Sequence, residues 1–218
     1  MPVGAARTGL FGAGLGGAPI VVSVVEVELD HIDNTFNVPG VTAASGDILV
    51  ALLQTGSTFG GSIGSLSGQG WTLLTGSFGS ENSRVAAWQR RSSSVSDGSF
   101  SVSMNPNTST AHAQVWRITR AHQTQAVEIQ HSTTGGLDPP SLSPSWGAKP
   151  ALWLAFCITV GSGTFGITAA PSGYEDFVET GSRIGAAVRR RTAASEDPGA
   201  FTGEDRAYRA GTIAVRGR

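Results

Sequence analysis

The sequence predicts an all-β chain, an antiparallel two-sheet sandwich of jelly-roll type preceded by a flexible glycine-rich arm, and three observations carry that prediction. Short apolar or alternating runs recur from Ile20 to the C-terminus, each bounded by Gly, Pro, Ser, Asn or Asp. No window of helical length holds an i, i+3, i+4 apolar stripe free of glycine or proline. Thirty glycines and only 14% charged residues suit many strands joined by turns. With no helices to carry parallel crossovers, neighbouring strands pair antiparallel.

The arm comes first. Residues 1–18, "MPVGAARTGLFGAGLGGA", place one cation, Arg7, before an apolar run broken by Gly9, Gly12, Gly14, Gly16 and Gly17. A secretory leader needs an unbroken apolar stretch of about 7 to 15 residues. Each glycine also costs a helix interior about 1 kcal/mol relative to alanine. The segment therefore reads as an arm ordered on another surface or subunit, with Arg7, Leu10, Phe11 and Leu15 at the contact. Fixing it costs about 1–2 kcal/mol of backbone entropy per residue, which is why Leu10, Phe11 and Leu15 are expected to be buried there.

Residues 19–218 form the sandwich domain, a length at which one all-β domain is ordinary. "PIVVSVVEVELD" alternates Val25, Val27 and Leu29 with Glu26, Glu28 and Asp30, the pattern of a half-buried strand. "GDILVALLQT" and "PALWLAFCITV" are nearly continuous apolar runs, as in central strands covered on both faces. The remaining strands are read in "GWTLLTGS", "SRVAAWQRR", "GSFSVSM", "AHAQVWRITRA", "QAVEIQHS", "GYEDFVET", "SRIGAAVRRR", "GAFTG" and "YRAGTIAVRGR". Gly56 to Gly70 reads as a long loop, and "GGLDPPSLSPSWGAKP" as a long connection between sheets. The halves share the same sort of strands without a fixed-period repeat.

Charge and chemistry narrow the function. A net charge of −1 argues against a nucleic-acid-binding or polybasic membrane surface. Ala151 to Val160 is about half the length of a membrane-spanning helix. Cys157, the single cysteine, sits inside an apolar run and reads as a buried hydrophobe, so no intrachain disulfide forms. Of His31, His112, His122 and His131, only His31 in "DHIDN" stands beside carboxylates, at a strand end, so no metal site is read. "GAGLGG" precedes a strand instead of following one, which fails the phosphate-cradle geometry, and no "GxSxG" elbow occurs. The carboxylate pairs Glu26 with Glu28, Glu175 with Asp176 and Glu204 with Asp205 are those any chain carries, so the chain reads as no enzyme and needs no cofactor. Trp116 and Trp153 lie inside strands and read as core; Trp71 and Trp146, at loop edges, are the candidates for stacking on sugar. Arg189, Arg190 and Arg191, with Arg183 nearby, are the candidate basic surface for an acidic neighbour.

"SGDILVALLQTGST", "QGWTLLTGS", "VAAWQRRSSSVSDGSFSVS", "SPSWGAKPALWLAF" and "APSGYEDF" together resemble a diffuse family of β-sandwich proteins from tailed bacteriophages and phage-like gene transfer agents. Its members are fibre, spike or tail-surface components. The resemblance covers most of Ser45 to Phe177, and "GAARTGLFGAG" is similar to the start of virion proteins that dock through an N-terminal arm; Gly181 to Arg218 carries no matching phrase. It implies a structural virion protein, located in the particle, homo-oligomeric, and docked on capsid, neck or tail proteins. The alternative is a carbohydrate-binding adhesin that takes host surface polysaccharide through Trp71 or Trp146.

Overall fold

The computed structural model describes residues 6–7, 17–29, 35–57, 63–66, 69–78, 83–93, 99–103, 108–132, 135–160, 166–204 and 208–218. In the first half of the chain these form β1 (Ala6–Arg7), β2 (Ile20–Leu29), β3 (Thr35–Val38), β4 (Ile48–Ser57), β5 (Thr72–Phe78), β6 (Ser83–Arg91), β7 (Phe100–Ser103) and β8 (Thr108–Thr119). The second half supplies β9 (Glu128–His131), β10 (Lys149–Thr159), β11 (Ile167–Ala169), β12 (Glu175–Thr180), β13 (Ile184–Ala193), β14 (Thr202–Gly203) and β15 (Tyr208–Arg216). One sheet runs β1-β2-β8-β4-β6-β5, the other β12-β13-β10-β15-β9, and two short ribbons pair β3 with β7 and β11 with β14. Every strand pairing among the described residues is antiparallel. No helix of the described residues is long and apolar enough to cross a membrane.

The β-sandwich expected from the sequence is present, with β4 and β10 at the centre of their sheets. Within each half the chain passes between sheet and ribbon, from β2 to β3 to β4 and from β6 to β7 to β8, so the back-and-forth connections of a jelly roll run between a large sheet and its own ribbon. Residues 20–119 supply one large sheet and 128–216 the other, and each covers its own outer face. Inward, Val50, Leu52, Trp116 and Ile118 meet Leu152, Leu154, Phe156 and Ile213. Outward, Leu49, Ala51, Leu53 and Val115 lie beneath Phe36, Val38, Phe100 and Val102 of the β3–β7 ribbon. The second sheet buries Ala155, Cys157 and Ala210 with Ile167 and Phe201, and Trp153 with Leu142. Each half thus keeps its own ribbon over its own sheet. The result is four layers, and it explains why β4 and β10 are apolar on both faces: each fully buried large side chain contributes about 1.5–3 kcal/mol.

The two halves are copies of one topology. From its first strand, each sheet continues with the last strand of that half, then the central apolar strand, then a hairpin: β2-β8-β4-β6-β5 and β9-β15-β10-β13-β12. Local details repeat too. Gly70 and Gly173 both have φ +78° and both lie against an arginine, Arg90 and Arg189. Each precedes an aromatic residue, Trp71 or Tyr174, that clusters with a phenylalanine, Phe100 or Phe201. The matched pairs are 103, 99 and 101 residues apart for the glycines, arginines and phenylalanines. That drift is why no fixed period is legible in the sequence. The sheets stack so that β5 lies against β9 while β12 lies against β2 and β8, the arrangement of an approximate two-fold axis.

Of the arm, Ala6 and Arg7 pair with Val25 and Val24 on the outer edge of β2. Leu10, Phe11 and Leu15 lie outside the described residues.

Candidate functional site

The alternation of β2 puts Val25 and Val27 on the ribbon side of the first sheet. Glu26 and Glu28 therefore fall on the side facing the second sheet, at its rim, where the Glu28 side chain is still 51% exposed. Strand register completes two transverse rows. Glu28 on β2, His112 on β8 and Gln54 on β4 form one, and Glu26, Gln114 and Leu52 the next. His112 is 2% exposed and Gln54 fully buried. The His112 Nδ1 lies 2.9 Å from Gln54 Oε1, and since an amide oxygen only accepts, Nδ1 carries the hydrogen. Nε2 then faces the Glu28 carboxylate at 3.6 Å.

The turn between β12 and β13 closes over these rows. Gly181 has φ +59°, and a Cβ built there would overlap the His112 ring and stand 3.0 Å from Glu28 Cδ. Thr180 Oγ1 donates to Glu26 Oε2 at 2.8 Å and accepts from Gln114 Nε2 at 3.0 Å. Gln114 Nε2 also donates to the carbonyls of Ile184 (3.0 Å) and Val178 (3.2 Å), while its Oε1 accepts from Trp116 Nε1. The side chain is fully buried. One amide therefore ties the core of the first sheet to the backbone of the second sheet's hairpin.

Burial pushes the Glu179 carboxyl above its ordinary range; the Glu26 and Glu28 charges add to this, and backbone hydrogen bonds from Ser182 and Arg183 oppose it. Its Oε1 is buried and has no hydrogen-bond partner among the described residues. Arg183 is pushed down, by burial first, with Glu28 opposing. A carboxyl whose pKa is raised in the folded state holds more protons there than in the unfolded chain, so stability falls as pH rises through the raised value. Glu179→Gln mimics the protonated acid. Urea midpoints are expected to coincide for the variant and the parent below pH 4.5, the ordinary value, with the variant more stable at neutral pH. A constant offset at all pH values would contradict this account.

Compared with protein-family models, curated proteins and solved structures, the chain matches none. Its site is therefore read from its own geometry. A catalytic His–Glu pair would offer Nε2 to a substrate, but here the ring is covered by Gly181 and faces Glu28. The cluster acts as a clamp between sheets. At the opposite edge a smaller counterpart joins β5 to β9, where Thr75 Oγ1 lies 3.2 Å from His131 Nδ1, and burial pushes the His131 pKa down.

The other sequence-derived candidates fall elsewhere. Trp71, expected at a rim, is 3% exposed and packs on Phe100 with ring centroids 4.8 Å apart. A ring buried under the β3–β7 ribbon presents no face to a sugar, so that expectation is corrected. Trp146 is half-buried against the Trp153 and Leu142 cluster. The arginine run meets acids within its own chain. Arg189 and Arg191 bind Glu196 at 3.2 and 3.1 Å, and Arg190 binds Glu175 and Asp176 at 2.8 and 2.9 Å. Glu196 is 2% exposed, also accepts from Tyr174, and was not singled out from sequence. The signal available was an acid five residues after three arginines.

His122 Nδ1 accepts from the Gln125 amide in a turn, and His31 lies outside the described residues. Among the described residues no group of three or more His, Cys, Asp and Glu is arranged to hold a metal ion. A cleft of about 150 Å³ is lined by Thr72, Gln89, Arg91, Thr124 and Gln125. Arg91 spends its donors there on the carbonyls of Gly46, His122 and Gln125. The cleft has about half the roughly 300 Å³ at which small-molecule pockets start.

Proposed function

We propose that the chain is a structural, non-catalytic component of a phage or phage-like particle, docked through its N-terminal segment to head, neck or tail and projecting the double-repeat sandwich as a fibre, spike or decoration. The observation that carries this reading is the four-layer construction. Both outer sheet faces are covered by the chain's own ribbons, and Glu26, Glu196, Arg189 and Arg191 are engaged in joining sheets and strands. What remains for function is surface and edge, which is the equipment of an assembly part. The resemblance of "SGDILVALLQTGST" and its companion phrases to virion sandwiches supports the same reading. Arrays of copies around a particle axis multiply weak contacts through effective concentration.

The test is mass spectrometry of purified particles carrying the full chain or a chain without residues 1–18. The full chain is expected at a fixed, symmetric ratio to the major capsid protein. The shortened chain is expected to fold, shown by an unchanged thermal midpoint, and to be missing from particles. Normal incorporation of the shortened chain would refute the docking role, and absence of the full chain from particles would refute the virion role.

A further inference from the structure

The duplicated topology makes one asymmetry informative. Apart from the two-residue β1, four strands bound the two sheets, and three of them are blunted in ways that discourage pairing with another chain. β5 meets β6 with two register shifts. β12 meets β13 with one, and carries Asp176 at φ +55°. β9 is only four residues long. β2, the repeat counterpart of β9, has ten residues, and past its single register shift with β8, between Val21 and Ser23, the register is unbroken from Ser23 to Leu29. Its outer edge is met, among the described residues, by β1 alone, at Val24 and Val25. A regular strand with unmatched backbone groups is a template for a further strand.

We propose that the outer edge of β2 is a strand-acceptor site and that in the assembled state its occupant is the segment around Ala6 and Arg7 of a second copy of this chain, exchanged reciprocally. This rests on the proposed role in an assembly and goes beyond it: the pairing joins copies of the chain to one another, in addition to the docking of the N-terminal segment on head, neck or tail. Three observations favour this occupant. The segment of the same chain already pairs there in antiparallel register, Ala6 with Val25 and Arg7 with Val24, so the same hydrogen bonds are available between copies. Twelve residues separate Arg7 from Ile20, a tether that reaches roughly 40 Å when extended, enough to arrive at a neighbour. The charge in the sequence is of opposite sign, Arg7 being the only charged residue before β2 and Glu26 and Glu28 the only ones within it. The repeat explains why one edge suffices: the second half's β9 is too short to accept an arm.

Disulfide trapping on the purified full chain tests this. Directly paired Cα positions in antiparallel strands lie about 4.5–5.5 Å apart, within disulfide range. The native Cys157 is fully buried, and its thiol is pushed up by burial. The chain carrying Ala6→Cys is mixed with the chain carrying Val25→Cys and oxidised. A mixed disulfide dimer is expected, at more than ten times the level of either like-with-like dimer. The neighbouring pair, Arg7→Cys with Val24→Cys, is expected to give the same result and guards against a local folding defect. If the double variant Ala6→Cys/Val25→Cys closes only within one chain and the mixture gives no dimer, exchange is refuted. If neither closes, the edge does not take this segment at all. Either failure leaves particle incorporation to be judged by its own experiment.

Discussion

Gly181→Val is expected to lower the stability of the protein by about 2–5 kcal/mol, the sum of overpacking a filled site and holding a β-branched residue in left-handed backbone. Both terms come from the clamp. The new Cβ would press into the buried His112 ring, which is held in place by Gln54 and cannot swing away. Chemical denaturation of Gly181→Ala, His112→Ala and the double variant separates the two contributions. Removing the ring is expected to recover the steric share and leave about 1–2 kcal/mol for the φ of +59°. Independent, additive effects would mean that the turn does not rest on the imidazole.

Gln114→Leu is expected to cost about 2–4 kcal/mol although it keeps the volume of the side chain, because each buried polar group left without a partner costs about 1–3 kcal/mol. The loss takes a donor from the Ile184 and Val178 carbonyls and the acceptor from the Trp116 indole together, while the Thr180 hydroxyl keeps Glu26. Leucine adds apolar contact, which offsets part of this. The variant is also expected to expose the β12–β13 hairpin, seen as faster amide exchange at Ile184 and Arg183 than in β10. A neutral or stabilising result would show that packing of the sheets, and not the amide, holds the hairpin down.

The central strands were the most legible part of the sequence, because apolar runs as long as "GDILVALLQT" and "PALWLAFCITV" are stable only when both faces are covered. The covering itself was harder to read. β3 and β7 are four residues each and β14 is two, too short for alternation to stand out, yet they decide the winding. The alternation of β2 was legible, with Val25 and Val27 buried and Glu28 exposed; a sequence shows that Glu26 and Glu28 share a face, but only the partner strand shows that this face meets Thr180 and His112. Trp71 misled for a similar reason. A glycine before an aromatic marks a loop edge in sequence, whereas here Gly70 lets the chain turn so that the ring enters the core under Phe100. Among the arginines, adjacency was visible but the partner, Glu196, reaches them through the bridge between Leu142 and Glu196 that folds the long connection back.

The duplication has a consequence for how such a molecule can be placed in a larger object. Two identical separate subunits related by a two-fold axis present every feature twice and have no front or back. Joining the units in one chain keeps the shared core, and makes it independent of concentration, while freeing each unit to differ. Here the difference falls on the first strand of each, ten residues in one and four in the other. The body therefore has near two-fold symmetry and a polarity at the same time, so a neighbour can tell one of its ends from the other.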